Sequence, residues 1–219
     1  MNARSDGKDV TARLREAIVS GRFQPSERLI EVELAGLLAT NRTNVRTALA
    51  QLEQEGLVVR EANRGARVRL VSHEDAIEIT QVRGALEAFV AGLAAARARP
   101  QDHRRLRALV EAMREAVEAG DLIAYSKING SLHAEILRIA QHGTAAKLLA
   151  NLNSQVVRFQ YRSILLPGRS RRSLAEHEEI VAAICAADVE AAERNMGAHL
   201  RAAAEALRQV IEASKTAIV

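Results

Sequence analysis

Aromatic side chains are almost missing: two Tyr, three Phe and no Trp make up 2% of the 219 residues. The core must therefore come from aliphatic packing. Proline is also scarce, at three residues, and alanine is abundant, so helix is favoured throughout. A single cysteine, Cys185, excludes any internal disulfide and fits a reducing compartment. It lies in the apolar stripe "VAAICAAD", where it reads as a small buried hydrophobe. No long hydrophobic run exists: "AFVAGLAAA" (88–96) is far too short to span a bilayer. The N-terminus is polar and charged, with no apolar signal region, so the expectation is a cytoplasmic protein without membrane association.

What is present is 48% hydrophobic residues, enough for a substantial core in one large domain or two small ones. Net charge is +4, and residues 1–73 hold +3 of it, with 12 Lys/Arg against 9 Asp/Glu. That bias points weakly to a polyanion at the N-terminal third.

The first seventy residues read helix, helix, helix, then two short strands. Val10, Leu14 and Ile18 define a first helix that stops at Gly21. "RFQPSERL" reads as a connector punctuated by Pro25. Glu31–Ala39 is a short second helix with Leu34, Ala35 and Leu38 inward. Asn41 is a good N-cap for a third, which runs to about Glu55 and stops at Gly56. Apolar and polar residues then alternate in "ARVRLV", with "ANRGA" as the turn of a hairpin. Three helices followed by a β-hairpin make a winged helix-turn-helix.

The third helix opens with Arg42 and Arg46 on one face, a like-charge spacing that is destabilising in isolation. A counter-charge outside the protein would remove that repulsion. In a helix-turn-helix these first turns enter the major groove, where Arg pairs with guanine and Asn with adenine. Arg42, Thr43, Asn44, Arg46 and Thr47 occupy those turns, and Asn63 and Arg64 lie ahead of Gly65 at the wing tip. The alternative is a solvated polar helix face beside a surface hairpin.

The stretch "LREAIVSGRFQPSERLIEVELAGLLATNRTNVRTALAQLEQEGLVVREANRGARV" resembles the DNA-binding domain of the GntR family of bacterial transcription regulators over about sixty residues. Two positions depart from the family pattern. Asn41 replaces the usual Ser, and Asn44 replaces a Pro, adding a donor and an acceptor near the bases. The resemblance implies DNA contacts at Asn41, Arg42, Thr43, Asn44, Arg46, Arg64 and Gly65.

Beyond Val71 the pattern is entirely helical, with runs at about 75–98, 102–119, 121–140, 144–165, 171–186 and 189–213. The fold expected is mainly α: a winged helix-turn-helix (1–71) followed by a six-helix bundle (72–219). Of six histidines, His73, His103 and His142 lie near helix starts and read as surface residues. His133, His177 and His199 sit inside helices, and Asn129 precedes His133 by one turn on the same face. Three imidazoles and an amide oxygen could hold a divalent metal. Their spacing is no signature, and separately hydrogen-bonded histidines are the alternative.

"ITQVRGALEAFVAGLAA", "NGSLHAEIL", "EHEEIVAAICAAD" and "AHLRAA" resemble the FCD effector-binding domain of FadR-like regulators. The six helices resemble the VanR-type branch. Many members hold Zn²⁺ or Ni²⁺ with an Asp and three His. The matching positions here are Asn129, His133, His177 and His199, with Asn in place of Asp. A neutral amide oxygen is the weaker ligand. A metal with open positions, ringed by cations, suits a small carboxylate effector. Candidate cations are Arg83, Arg158 and Arg162, with Tyr161 and Asn153 as hydrogen-bonding partners. Arg83 has an alternative role as an i,i+4 partner of Glu87, and Arg162 as a surface residue.

The resulting expectation is a homodimeric repressor on palindromic double-stranded operator DNA, tuned by an organic acid. The rival readings are a metal-dependent hydrolase, with Glu135, Glu176 or Glu178 beside ligand histidines, and a pure metal sensor. Against the hydrolase, adjacent helical residues point about 100° apart, away from the metal.

Overall fold

The computed structural model describes the backbone of residues 3–61 and 65–216. It divides into two compact units, the first of Met1–Ser72 with Asn153–Gln155 and the second of His73–Leu152 with Val156–Val219.

The first unit contains α1 (Ala3–Val19), α2 (Glu31–Leu37) and α3 (Arg42–Gln54) with β1 (Arg28–Leu29), β2 (Val58–Glu61) and β3 (Gly65–Val68). Its core gathers Val10, Leu14 and Ile18 of α1, Leu34 of α2, and Val45, Leu49 and Leu52 of α3. Each such aliphatic side chain contributes about 1.5–3 kcal/mol relative to exposure. Arg15 adds a bidentate bond to Glu55, at 2.7 Å for both nitrogens, joining α1 to the end of α3. At that end Gly56 takes φ 72° and donates to the Glu53 carbonyl at 2.9 Å, as a helix-terminating glycine does.

The sheet corrects the sequence reading. "RFQPSERL" is more than a connector, because Arg28–Leu29 forms an edge strand that pairs with β3. The order is β1-β3-β2, antiparallel, with Leu29 opposite Ala66 and Val58 opposite Val68. Leu29, Ala66 and Val68 are buried, so the strand is held by packing as well as by its ladder. The expected turn residues Ala62–Arg64 lie outside the described residues, which include Gly65 at φ 87°.

The second unit holds α4 (His73–Arg97), α5 (Pro100–Glu118), α6 (Leu122–Ala140), α7 (Gly143–Ile164), α8 (Arg169–Cys185) and α9 (Val189–Thr216). Two of these helices, α6 and α9, begin at an aspartate that satisfies their first N–H groups. Asp121 accepts from Ile123 and Ala124 at 3.1 and 2.9 Å, and Asp188 accepts from Ala191 at 2.9 Å. Pro100 is the first residue of α5, two residues earlier than its apolar pattern suggests, and Asp102 accepts from the Arg99 N–H at 3.0 Å. Small residues on α4 let α9 lie close: Ala91, Ala94 and Ala95 are buried, and the Leu200 Cβ would stand 3.2 Å from a Cβ at Gly84. The core is otherwise aliphatic, as the lack of aromatics requires. Tyr125 is the exception and is fully buried.

Candidate functional site

Three helices of the second unit converge on three imidazoles. His133 comes from α6, His177 from α8 and His199 from α9, and one ligand nitrogen from each lies within 4.8 Å of the others. His133 Nε2 and His177 Nε2 are 3.2 Å apart. His177 and His199 are buried, and His133 is partly open. Burial, followed by the neighbouring imidazoles, pushes His177 well below its usual range. Burial and then His133 do the same for His199. Both rings are therefore neutral at physiological pH, the form that offers a lone pair to a metal.

The outer nitrogens are engaged. His133 Nδ1 meets Glu87 Oε2 at 2.5 Å, and His199 Nδ1 meets Glu176 Oε2 at 2.6 Å. His177 Nδ1 faces Ser173 Oγ at 3.5 Å, and a bond to the Ser173 backbone also supports the ring. Each carboxylate is anchored in turn by an arginine. Arg83 donates to Glu87 Oε1 through Nε at 3.1 Å and NH2 at 2.6 Å. Arg169 donates to the two oxygens of Glu176 at 2.8 and 2.9 Å. Burial alone would raise the Glu87 carboxyl, but His133 and Arg83 together hold it well below the ordinary range.

Asn129 lies one helical turn before His133, and its Oδ1 is buried with no hydrogen bond among the described residues. An unpaired buried oxygen is costly. A cation held by the three imidazoles and reached by that oxygen would satisfy it, so the donor types fit a divalent ion. The Tyr125 hydroxyl, two turns before His133, is also buried without a hydrogen bond of good geometry. Burial pushes it up to about 12, against an opposing pull from Ser173, so it remains a neutral donor.

Several expected roles change. Arg83 is not an open clamp: it is buried and committed to Glu87, the alternative partnership named above. The side chains of Arg158, Tyr161 and Arg162 lie outside the described residues. Glu176 does not point away from the cluster, because it reaches His199 Nδ1 on another helix. Glu135 and Glu178 are bound to Arg138 and Arg114. The sequence reading missed Glu87 and Arg169 as neighbours of the cluster. His142 is more than a surface residue, since its Nδ1 accepts from the Ala145 N–H at 3.1 Å and its ring meets Phe89 edge-on.

In the first unit, α3 starts as its sequence suggests. Asn41 Oδ1 accepts the Asn44 N–H at 2.8 Å, and Arg42, Thr43 and Arg46 are exposed. The expectation that both arginines lack a counter-charge within the protein is incorrect. Glu31, the first residue of α2, is bound to Arg46 through two nitrogens and lies 3.5 Å from Arg42 NH2. Asn44 Nδ2 donates to Thr40 Oγ1 at 3.1 Å, and Thr47 Oγ1 to the Thr43 carbonyl at 3.0 Å. The side chains of Asn63 and Arg64 lie outside the described residues.

Comparison with known proteins assigns each of the two units to a family. Residues 7–68 match the gntR family of bacterial regulatory proteins, and residues 78–202 match the FCD domain. The chain is 30% identical over 201 residues to a probable D-xylose utilization operon transcriptional repressor of Paenarthrobacter nicotinovorans, covering 88% of this chain and 86% of that one. It is 28% identical over 197 residues to the HTH-type transcriptional repressor RspR of Escherichia coli K12, covering 90% and 86%. Among solved structures, E. coli McbR/YncC superposes with a TM-score of 0.76 at 23% identity, covering 95% of this chain and 99% of that one, which shows a shared fold. These relatives are regulators, which removes the hydrolase reading. Regulators of this family bind operator DNA through the helix-turn-helix unit. This chain belongs to the GntR family of transcription regulators and carries the FCD domain as its second unit.

Proposed function

We propose that this chain is a cytoplasmic repressor of the VanR-type branch, in which a small carboxylate and a divalent ion in the helical unit tune operator binding. The observation that carries the reading is the convergence of three imidazoles, with the orphaned Asn129 Oδ1 one helical turn before His133. Asn129, His133, His177 and His199 would hold Zn²⁺ or Ni²⁺, and the ion would offer a positively charged anchor for a carboxylate. Arg158 and Arg162 of α7 remain the direct effector contacts in this reading. Arg83 acts through Glu87. The effector works by binding one arrangement of the two DNA-binding units more tightly than the other.

Arg42, Thr43, Asn44 and Arg46, with Asn41 at the cap, read a half-site in the major groove, while Arg64 and Gly65 of the wing reach the flanking backbone. A palindromic operator needs two such helices, hence a homodimer. Exposed Val82 and Phe89 on α4, with Leu86 and Leu93 between and beyond them, form an apolar stripe that supports self-association.

The test is operator binding by gel shift across a panel of small carboxylic acids, with and without a chelator. Release by one acid, abolished by chelation, is the expected result. Release by chelator or metal alone, with no acid effective, identifies a metal sensor instead. That second reading draws support from the commitment of both Arg83 and Arg169 to carboxylates of the protein.

A further inference from the structure

The four candidate donors, three imidazoles and one amide oxygen, include no carboxylate. A divalent ion placed there meets no anion among its direct ligands. Negative charge does lie next to the cluster, one atom shell out. Glu87 Oε2 faces His133 Nδ1 at 2.5 Å and Glu176 Oε2 faces His199 Nδ1 at 2.6 Å. The two arrangements are built alike from unrelated helices. Arg83 reaches Glu87 along α4 at i,i+4, and Arg169 reaches Glu176 along α8 seven residues on. In both, the guanidinium is buried; Arg83 holds the Glu87 oxygen that does not meet His133, whereas Arg169 spans both Glu176 oxygens, including the one at His199.

Building on the metal site proposed above, we infer that Glu87 and Glu176 are the positioning residues of that site and stand in electrostatically for the carboxylate that Asn129 lacks. Each accepts the Nδ1–H of its histidine. That hydrogen bond fixes the tautomer, turns Nε2 inward and raises its basicity. The arginine sets the carboxylate's orientation, and in both pairs a carboxylate oxygen is the group in direct contact with the imidazole nitrogen. His177 is the contrast within the same cluster: its Nδ1 has a hydroxyl at 3.5 Å and no carboxylate. Two of the three rings are therefore backed by a carboxylate, and the third is not. This division explains how a site with a neutral amide at the oxygen position can still compete for an ion.

Co²⁺ affinity of the full chain, measured by competition with a coloured chelator, tests this, with visible absorption as a report on coordination. Glu87→Gln and Glu176→Gln should each weaken Co²⁺ binding about 10–100-fold and shift the absorption band. Ser173→Ala should change both much less. Asn129→Asp should tighten binding, and in combination with Glu176→Gln should restore much of the lost affinity. Circular dichroism melts check folding. Glu176, whose side chain is 26% exposed, decides the matter if the Glu87 variant does not fold. Unchanged affinity and spectrum in Glu176→Gln overturn the positioning role while leaving the metal site intact. A wild type without Co²⁺ beside a loaded Asn129→Asp shows that the outer carboxylates do not compensate, and overturns it as well. If both are empty, the metal reading itself fails.

Discussion

Arg46 donates two hydrogen bonds to Glu31, at 3.1 and 2.9 Å, across the turn that joins α2 to α3. Glu31 is 20% exposed and Arg46 59%, so the carboxylate is the fixed partner and the guanidinium the mobile one. Exposed pairs of this kind contribute little to stability. Their effect here falls on DNA binding, because Glu31 offsets one of two positive charges on the recognition face and aims Arg46 before contact. Glu31→Ala should leave the melting temperature nearly unchanged, raise affinity for scrambled DNA, and steepen the fall of affinity with salt. Fluorescence anisotropy on operator and scrambled duplexes over a salt series measures this. Identical salt slopes for wild type and variant would show that Glu31 releases the arginines in the complex and does not offset their charge there.

Arg46→Ala should cost about 1–3 kcal/mol on the operator if the side chain reads a base. The same variant should lose much less on scrambled DNA. Equal losses on both would reduce Arg46 to a phosphate contact. An Arg42/Arg46 double variant with unchanged operator affinity would remove α3 from the interface.

The third helix was legible because its signals are local: a cap at Asn41, an apolar stripe through Val45, Leu49 and Leu52, and a stop at Gly56. β1 was not, because a two-residue strand has no alternation to read and is defined by its partner 37 or more positions away. Glu31 was overlooked for a similar reason. Its contact with Arg46 spans 15 residues and crosses a turn, where helical spacing rules do not reach. In the cluster, Asn129 and His133 share a face by periodicity alone. The Glu87–His133 and Glu176–His199 contacts span 46 and 23 residues and exist only after packing. Family resemblance brought the three histidines together in advance, but carried no information about the carboxylates behind them.

Arg83 should prove essential to folding stability whatever its role in sensing. It and Glu87 are both buried, with side chains 8% and 7% exposed. Removing one partner leaves a buried charge uncompensated, which costs about 3–5 kcal/mol. Arg83→Ala should therefore lower the melting temperature well beyond the shift seen for Arg114→Ala, whose partners Glu111 and Glu178 are exposed. Similar small shifts for the two variants would mean that water reaches the Arg83 pair.

Asp102 should give α5 an acid-sensitive start. The Arg99 backbone N–H, then Arg138, holds its carboxyl below the ordinary aspartate range. A lowered folded value means that the stabilisation is complete above the unfolded value of about 3.9 and disappears as pH falls through the folded one. Asp102→Ala should destabilise by about 1 kcal/mol at neutral pH, as loss of a helix-start acceptor does. The gap between wild type and variant in denaturant melts should close in acid. A gap that persists at pH 2 would assign the effect to packing.

Asn41 combines two roles that one pair of substitutions can separate. Its Oδ1 accepts the Asn44 N–H at 2.8 Å, which satisfies a donor at the start of α3, and its side chain is exposed on the face assigned to DNA. Serine can accept the same bond, since hydroxyl and amide oxygens are comparable caps, whereas alanine cannot. Asn41→Ala should thus lose about 0.5–2 kcal/mol of stability, and Asn41→Ser should lose little. DNA binding divides differently, because serine lacks the amide that pairs with two edge positions of adenine. If Asn41 reads a base, Asn41→Ser will melt like wild type yet bind the operator more weakly and tolerate a changed base at one position. Chemical denaturation and binding to a set of single-base operator variants supply both measurements. Wild-type affinity and specificity in Asn41→Ser would confine Asn41 to capping, leaving recognition to the arginines that follow it.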